Sequence, residues 1–402
     1  MSAAAHRSAF ASSQYRRFFP AASFSTLGGW ALRFLLGWSA WDLTGSATWV
    51  GAVAGLMLAP ALLLAPFFGI VSDRINPRNG LLITTCIHAL IAGLAASAEA
   101  AGRFDLSILL LLATALGVAT SAQTPLRLSL LPLLVPRESL PSAIGYSATV
   151  FNVSRILGPA LGAWLLQIGS PALAYLGAAL LTLCAPVFLA FITGRARDAG
   201  ATSAGGFRQE LRAGLVYARS HAFIRLVFAF TLVNALLGRT VIELLPALSG
   251  KLLAGDSTTL ATLTASAGIG AILGGLIVSR QGGSEHRLYQ LLRWGLAIGA
   301  VLVALLGFSA DLPSIAVIVG AISLITTMAG TTSQALAQLL VDDNYRGRVL
   351  SLWTVIAMGA PALGALAMGA LADRFTFLPV LIAFGGAALA AIVALRSTRI
   401  QP

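Results

Sequence analysis

Uninterrupted apolar segments of about 20 residues recur along the chain and constrain its fold more than any other feature. A helix needs about 20 apolar residues to cross roughly 30 Å of hydrocarbon. The segments are about twice as long as a barrel strand and lack a two-residue alternation, which favours helices. We predict an all-α membrane protein with twelve transmembrane spans, at 18–41, 48–70, 79–100, 106–131, 143–167, 172–192, 222–247, 258–279, 288–309, 313–336, 349–371 and 376–395.

The composition excludes a soluble enzyme. Only 10% of the 402 residues are charged and 57% are hydrophobic, whereas soluble domains carry roughly 25% charged residues. The longest weakly apolar stretch, 192–222, is too short to build a core of its own. The net charge of +12 comes from basic residues scattered singly between apolar runs, which argues against nucleic-acid binding.

Basic residues set the orientation of the predicted spans. With the N-terminus placed inside, twenty of the 26 Lys and Arg residues lie in inner loops or at inner span ends. In this arrangement the basic residues of the outer loops are Arg103, Lys251 and Arg374. The positive-inside rule therefore predicts a multi-pass protein of the inner or plasma membrane with both termini in the cytoplasm.

The longest inner segment divides the chain into two halves of six spans. We predict six-helix bundles at 1–192 and 222–402, joined by a linker at 193–221 that ends in an amphipathic basic stretch. The pentapeptide Pro159–Ala163 recurs as Pro361–Ala365, which indicates a duplication. Two such repeats are typical of transporters whose substrate site lies near mid-membrane.

The loop between spans two and three carries a family resemblance. The sequence Gly69–Arg78 resembles the major facilitator superfamily signature in its Gly and its Asp-Arg pair, but Asn76 and Pro77 replace the usual Gly and basic residue. Further segments resemble the branch of enterobactin exporters and macrolide efflux proteins, at 43–46, 134–143, 152–159 and 346–349. The resemblance covers essentially the whole chain. It implies two bundles that rock about a cavity lined by spans one, four, seven and ten.

The same resemblance implies two functional motifs. The first is a conformational latch on the inner side, comprising Gly69, Asp73, Arg74, Arg78 and Arg127. The alternative is an ordinary solvated pair of loop charges, worth at most ~1 kcal/mol. The second is an exporter-type motif in span five, comprising Gly158, Pro159 and Gly162. Its alternative is a packing kink without directional meaning.

Charged residues inside the spans are the candidates for substrate and ion chemistry. Arg155 lies ~18 Å into span five by the helical rise, where an arginine either braces helices or attracts an anionic substrate. Arg33 and Arg239 lie in the outer halves of spans one and seven, 206 residues apart. Glu243 shares a helix face with Arg239, so the two either brace the outer end or exchange a proton. Asp42, at the outer end of span one, is a second candidate for proton coupling, and the alternative is a helix-end or gate residue.

Uncharged polar and aromatic side chains complete the predicted substrate cavity. Polar residues within spans are expected to face the interior of a bundle. Together with the three arginines, the predicted lining is Trp30, Trp38, Gln123, Thr124, Asn234, Thr331 and Gln334. Carboxylates are missing near mid-membrane, which favours an anionic or neutral cargo over a cationic one.

These patterns predict a secondary transporter of a small amphipathic metabolite or drug, coupled to protons and monomeric, and the family resemblance implies that it is an exporter. No metal-ligand cluster, Walker-type phosphate loop or nucleophile triad occurs in the sequence. We therefore expect no cofactor, no ATP and no enzymatic activity. An uptake symporter of the same fold, or a membrane sensor or scaffold without transport, are the alternatives.

Overall fold

The structure is a computed structural model that describes residues 8–192, 215–280, 285–341 and 345–396. The first half of the chain forms six long helices. They are α1 (Ser13–Thr44), α2 (Ala47–Arg74), α3 (Pro77–Ala100), α4 (Leu106–Leu134), α5 (Leu140–Ile168) and α6 (Pro171–Ala190). Short 3-10 turns at Ala9–Ala11 and Arg137–Ser139 precede α1 and α5.

The second half is also helical and contains one irregular span. Residues 215–220 are helical, and α7 (Ala222–Asn234) continues through a π-helix at Ala235–Arg239 into the turn Thr240–Glu243. The helices that follow are α8 (Leu245–Leu253), α9 (Ser257–Ser279), α10 (Glu285–Leu306), α11 (Leu312–Leu340), α12 (Arg346–Phe375) and α13 (Phe377–Arg396).

Ten helices of the described chain are long and apolar enough to cross a membrane. They coincide with predicted spans three to twelve, which confirms the prediction of an all-helical multi-pass architecture. The first two predicted spans correspond to α1 and to α2, of which Ala47–Pro60 forms a shorter apolar helix. The total of twelve spans stays a prediction.

Aspartate side chains fix the starts of three of these helices. Asp105, Asp256 and Asp311 precede α4, α9 and α11, and each carboxylate accepts a hydrogen bond at 2.9 Å from the backbone N–H three residues later. This is the preferred N-cap arrangement, since it satisfies a donor that the helix cannot. The bond from the Thr259 amide lowers the pKa of Asp256, and the Ser314 hydroxyl lowers that of Asp311.

Large apolar side chains stay exposed on the outside of the helices. Leu111, Val317 and Leu363 are 68%, 72% and 70% exposed. Such extensive apolar exposure is costly for a monomer in water. It is the surface expected of helices that are solvated by lipid acyl chains.

The chain divides into two compact units. The first contains Met1–Leu43 and Ala59–Ala201, and the second contains Thr44–Leu58 and Thr202–Pro402. Helix α2 is therefore shared, because its first turns pack within the second unit. In the first unit α3 packs against α4 and α6, and in the second α11 packs against α9 and α10. The predicted boundaries at 192 and 222 stay a prediction.

Candidate functional site

An aromatic and arginine cluster lies on α1 in the first unit. Trp30 is half-buried, and its ring meets that of Phe151 from α5 edge to face with the centroids 5.5 Å apart. The guanidinium of Arg33 lies 5.9 Å from the centre of the Trp30 ring, within the range of a cation–π contact. Trp38, two turns further along α1, is also half-buried.

The glycines of the exporter-type motif allow α5 to approach α1 closely. A Cβ atom at Gly158 would lie 2.6 Å from the Cβ of Trp30, and one at Gly162 would lie 2.9 Å from Cδ1 of Phe34. Pro159 is buried within α5, which continues without a break to its end. The motif is therefore a tight helix–helix contact, and its meaning for the direction of transport stays a prediction.

Arg155 occupies the same stripe of α5 as these contacts. It lies four residues after Phe151 and three before Gly158, both of which contact Trp30. Residues at this spacing share a helix face, so Arg155 belongs to the side of α5 that packs on α1. It is half-buried. The amide of Asn152 donates to Ala148 O in its own helix.

The π-helix of the seventh span carries the charged pair that the sequence predicts. Arg239 is the last residue of the π-helix, and its Nε lies 3.5 Å from Oε1 of Glu243. The Thr240 hydroxyl donates to Ala235 O at 3.0 Å and so bonds back across the wide turn. The Glu243 side chain is 8% exposed and that of Arg239 is 32% exposed. π-helical turns occur frequently at functional sites.

The other predicted cavity residues fall into two groups. Asn234 is buried, and its Nδ2 donates to Thr326 O at 3.1 Å, so it joins α7 to α11. In α4, half-buried Gln123 donates weakly to the Thr85 hydroxyl, at 3.5 Å. The exposed group comprises Thr124, Thr331 and Gln334. The structure thus places Asn234 in a helix interface, whereas a contact of the three exposed residues with substrate stays a prediction.

The predicted latch is described only in part. The side chains of Gly69, Asp73 and Arg74 lie outside the described residues, so their pairing stays a prediction. Arg127 is half-buried in α4. Arg78 donates from Nε to Leu189 O at 2.9 Å and from Nη2 to Ala190 O at 2.6 Å, which gives it a defined place at the C-terminal end of α6.

The two repeated pentapeptides make equivalent contacts in their own units. In the first unit Gly162 contacts Phe34 of α1. In the second unit a Cβ atom at Gly364 would overlap the hydroxyl of Thr240, which lies 206 residues after Phe34. The same helix pairs therefore approach through glycine in both halves of the chain.

One carboxylate that was not predicted from the sequence lies at a junction of three helices. Asp373, near the end of α12, accepts hydrogen bonds from the first residues of α2 and pairs with Lys251 of α8. The sequence contains a repeated motif that could have indicated Asp373. The pattern Gly-x-x-x-Asp-Arg of 69–74 recurs at 369–374.

Asp42, predicted for proton coupling, is exposed near the end of α1.

Across the described residues, no group of three or more His, Cys, Asp or Glu side chains could hold a metal ion. The only two cysteines of the chain, Cys86 and Cys184, do not pair with each other.

Comparison with known proteins places this arrangement among membrane transporters. A family model described as "Transmembrane secretion effector" matches residues 4–402. The staphyloferrin A transporter of Staphylococcus aureus (strain NCTC 8325 / PS 47) is 26% identical over 368 residues, which cover 89% of each chain. Macrolide efflux protein A of Streptococcus pyogenes is 24% identical over 345 residues, which cover 83% of each chain.

Solved structures share the fold. A POT family transporter in complex with 5-aminolevulinic acid matches with a TM-score of 0.74 at 12% identity, covering 96% of each chain. The nucleoside transporter NupG matches with a TM-score of 0.70 at 13% identity, covering 97% of this chain and 100% of that one.

Proposed function

Because the chain belongs to the transmembrane secretion effectors of the major facilitator superfamily, and is therefore a multi-pass membrane transport protein and not an enzyme, we propose that it is a secondary active exporter. Its cargo in this proposal is a small amphipathic molecule, anionic or neutral. Export is coupled to proton entry, and the protein alternates between two accessible states by rocking of its halves. The relative named for macrolide efflux supports this direction, and the relative named for transport of staphyloferrin A, a carboxylate siderophore, supports an anionic cargo.

The observation that carries the proposed coupling is the Arg239–Glu243 pair. A carboxylate that is 8% exposed needs a cationic or hydrogen-bonding partner to stay ionised, and Arg239 provides one at 3.5 Å. If cargo or a movement of the helix draws the guanidinium away, the carboxylate binds a proton instead. Release of that proton on the inner side completes an exchange of proton for cargo.

The cargo class is supported by the cluster on α1 and α5. Arg33 lies by the indole of Trp30, and Arg155 belongs to the same packing face. Arginine recognises carboxylates and phosphates through its planar fork of donors, and an aromatic wall accommodates an apolar portion of the same molecule. A cationic cargo would need carboxylates in these places.

The proposal includes the predicted topology. Twelve spans form two six-helix bundles, at 1–192 and 222–402, around the linker 193–221. Both termini are cytoplasmic, the protein works as a monomer in the inner membrane, and neither ATP nor a bound cofactor takes part. The equivalent glycine contacts of Gly162 and Gly364 support the duplication of the six-helix unit.

A gradient-driven flux assay in everted membrane vesicles tests the proposal. We expect vesicles that contain the protein to accumulate a siderophore carboxylate when their interior is acidified, and to lose it when a protonophore collapses the gradient. The panel is staphyloferrin A, with erythromycin and a dye as cationic comparisons, and vesicles lacking the protein are the control. Efflux from the vesicles under the same gradient would indicate an uptake symporter, and absence of flux for the whole panel would contradict transport of these cargo classes.

A further inference from the structure

A single carboxylate holds the beginning of α2. Oδ2 of Asp373 accepts hydrogen bonds from the Ser46 hydroxyl at 2.6 Å, the Thr48 hydroxyl at 2.6 Å and the Thr48 N–H at 2.8 Å. Oδ1 accepts from the Ala47 N–H at 2.9 Å and pairs with the ammonium of Lys251. Asp373 therefore caps α2 from another helix, since the first amides of a helix have no partner within it.

Below this cap, α2 and α12 pack backbone against backbone. A Cβ atom at Gly51 would overlap the carbonyl oxygen of Ala365, and one at Gly369 would overlap the backbone of the first turn of α2. One turn further along, a Cβ at Gly55 would lie 3.9 Å from the Cβ of Ala362, an ordinary contact. Small residues at this spacing allow membrane helices to meet closely without large side chains between them. Such an interface can part and re-form without repacking large side chains.

Two strained residues flank the charged pair. Among the described residues, the non-glycine residues with positive φ are Ala254 at +45° and Thr376 at +68°. Each lies three residues after a member of the pair, Lys251 or Asp373, at the end of its helix. Non-glycine residues persist in this conformation only where their surroundings impose it, and they cluster at switch regions. The ends of α8 and α12 are thus held in place around Asp373.

Helix α2 is also the helix that the two units share. Its first turns, within Thr44–Leu58, belong to the second unit, and the remainder belongs to the first. In an alternating-access cycle, a helix shared in this way must exchange packing partners. The contacts that hold its first turns on α12 are the cap at Asp373 and the glycine-rich interface below it.

We propose that Asp373 is a positioning residue for transport, which latches the start of α2 to α12 in one state of the cycle and must release it in the other. Lys251 holds the carboxylate in place, and the α2 amides supply most of the interaction. The alternating cycle rests on the proposed function, whereas the latch itself is tested without any cargo. In the proposed topology the latch lies at the outer end, opposite Asp73 of the related motif.

The first test measures opening of the α2–α12 contact by thiol labelling. Ala362, 7% exposed, is replaced by cysteine in full-length protein whose Cys86 and Cys184 are serine, and the protein is placed in lipid nanodiscs that expose both faces. We expect Asp373→Ala to raise the rate of maleimide labelling about five- to thirtyfold, the range that corresponds to loss of a helix cap. Equal rates with and without Asp373→Ala would overturn the proposal.

Matched variants separate latch opening from general loosening. Asp373→Asn keeps an acceptor for the α2 amides and should give an intermediate rate, and Lys251→Met should raise the rate less than Asp373→Ala because the hydrogen bonds of the cap remain. An Ala267→Cys reporter, at a 2% exposed position of α9, should label at the same slow rate in every background. A parallel rise at both reporters would mean that Asp373 only stabilises the fold, which would also overturn the proposal.

The second test locks the latch. The Cβ separation of 3.9 Å at Gly55 and Ala362 suits a disulfide, so Gly55→Cys with Ala362→Cys should crosslink on oxidation. In proteoliposomes we expect the crosslink to abolish transport of staphyloferrin A driven by a pH gradient, and dithiothreitol to restore it. The control is Ser266→Cys with Gly320→Cys between α9 and α11, where a Cβ built at position 320 lies 4.0 Å from that of Ser266; this crosslink should leave transport unchanged.

The outcomes of these tests distinguish failure of the latch from failure of the proposed transport function. If the cysteine-free parent moves none of the transport panel, the proposed function fails, while the labelling experiment still decides the latch. If the parent transports and the Gly55–Ala362 crosslink forms without blocking transport, the latch does not open in the cycle and the proposal is wrong. Failure of that pair to crosslink under conditions in which the control pair does would overturn the contact itself.

Discussion

Glu243 and Arg239 form an ion pair, 3.5 Å apart, in which the carboxylate is four times less exposed than the guanidinium. The asymmetry matters because a buried carboxylate relies on its partners to stay ionised more than an exposed guanidinium does. Removal of one member of a buried pair leaves an uncompensated charge. The pair lies at the end of the π-helix, where the backbone departs from regular α-helical geometry.

Substitution of Glu243 tests the proposed coupling. Glu243→Gln resembles the protonated form and cannot exchange a proton, so we expect export driven by a pH gradient to fall to the background of empty vesicles. Binding of the same cargo and its passive exchange should stay within about threefold of the parent, because the substitution conserves size. The measurement is accumulation with and without an imposed gradient.

The control for this substitution is Glu285→Gln, at an exposed position at the start of α10, and it should leave accumulation unchanged. If Glu243→Gln still concentrates cargo under a pH gradient, coupling lies elsewhere and the pair is a brace at one end of the seventh span.

Tight packing of α5 on α1 makes a stability prediction. Gly158→Ala would place a methyl group 2.6 Å from the Cβ of Trp30 and 2.9 Å from the Ala31 nitrogen, so the helices must separate. We expect a loss of about 1–3 kcal/mol, as for other overpacked interfaces, seen as a lower melting temperature in detergent. Gly145→Ala in the same helix meets no atom within 4 Å, and it should be neutral or slightly stabilising because alanine is the better helix former.

The length of the apolar segments predicts the helices well. The predicted span 106–131 becomes Leu106–Leu134, and 258–279 becomes Ser257–Ser279. Such agreement has a physical cause, since the hydrophobic requirement of a span acts on about 20 consecutive residues and does not depend on which helices become neighbours. Asp105 and Asp311 illustrate the same point, because an N-cap is a contact between residues three apart in sequence.

Contacts between distant segments could not be predicted in this way. Asp373 and Ser46 are 327 residues apart, and neither spacing nor composition brings them together. Arg78 was predicted as part of the latch, yet its guanidinium donates to the carbonyls of Leu189 and Ala190 at the end of α6, a contact that depends on how α3 and α6 pack. Asn234 is a polar residue within a predicted span. The sequence alone does not tell whether such a residue lines a cavity or donates to the backbone of a neighbouring helix.

The predicted topology is tested by cysteine accessibility. In protein without its native cysteines, single cysteines inserted at Ser203 and Gly282 should react with a membrane-impermeant thiol reagent only from the cytoplasmic side. Those at Arg103 and Asp256 should react only from the outside, because an even number of spans separates each site from its partner on the same side. Intact cells and everted vesicles provide the two orientations, and one residue on the wrong side would contradict the twelve-span arrangement.

The cap at Asp256 gives a dependence of stability on pH. Because hydrogen bonding to the Thr259 amide lowers its pKa in the folded state, its contribution is present above the unfolded value of about 3.9 and is lost as the pH falls through the folded value. Thermal unfolding between pH 6 and pH 3 should therefore show a smaller acid-induced loss for Asp256→Asn than for the parent. Asp256→Ala should cost about 1 kcal/mol at pH 7, and an equal acid response of all three proteins would contradict a role for this carboxylate.

In the proposed function, Arg155 and Arg33 give the cargo site its selectivity for charge. If Arg155 attracts an anionic cargo near mid-membrane, Arg155→Gln removes a charge-assisted contact worth about 1.5–3 kcal/mol, and we expect the affinity for a carboxylate siderophore to fall by roughly ten- to a hundredfold. Erythromycin, which carries no carboxylate, should lose less than about threefold. Binding to purified protein in nanodiscs, measured for both ligands, separates recognition from transport rate. Arg280→Gln, at an exposed helix end, is the matched control for the loss of one positive charge. Equal losses for both ligands, together with a lower melting temperature, would identify Arg155 as a brace between α5 and α1.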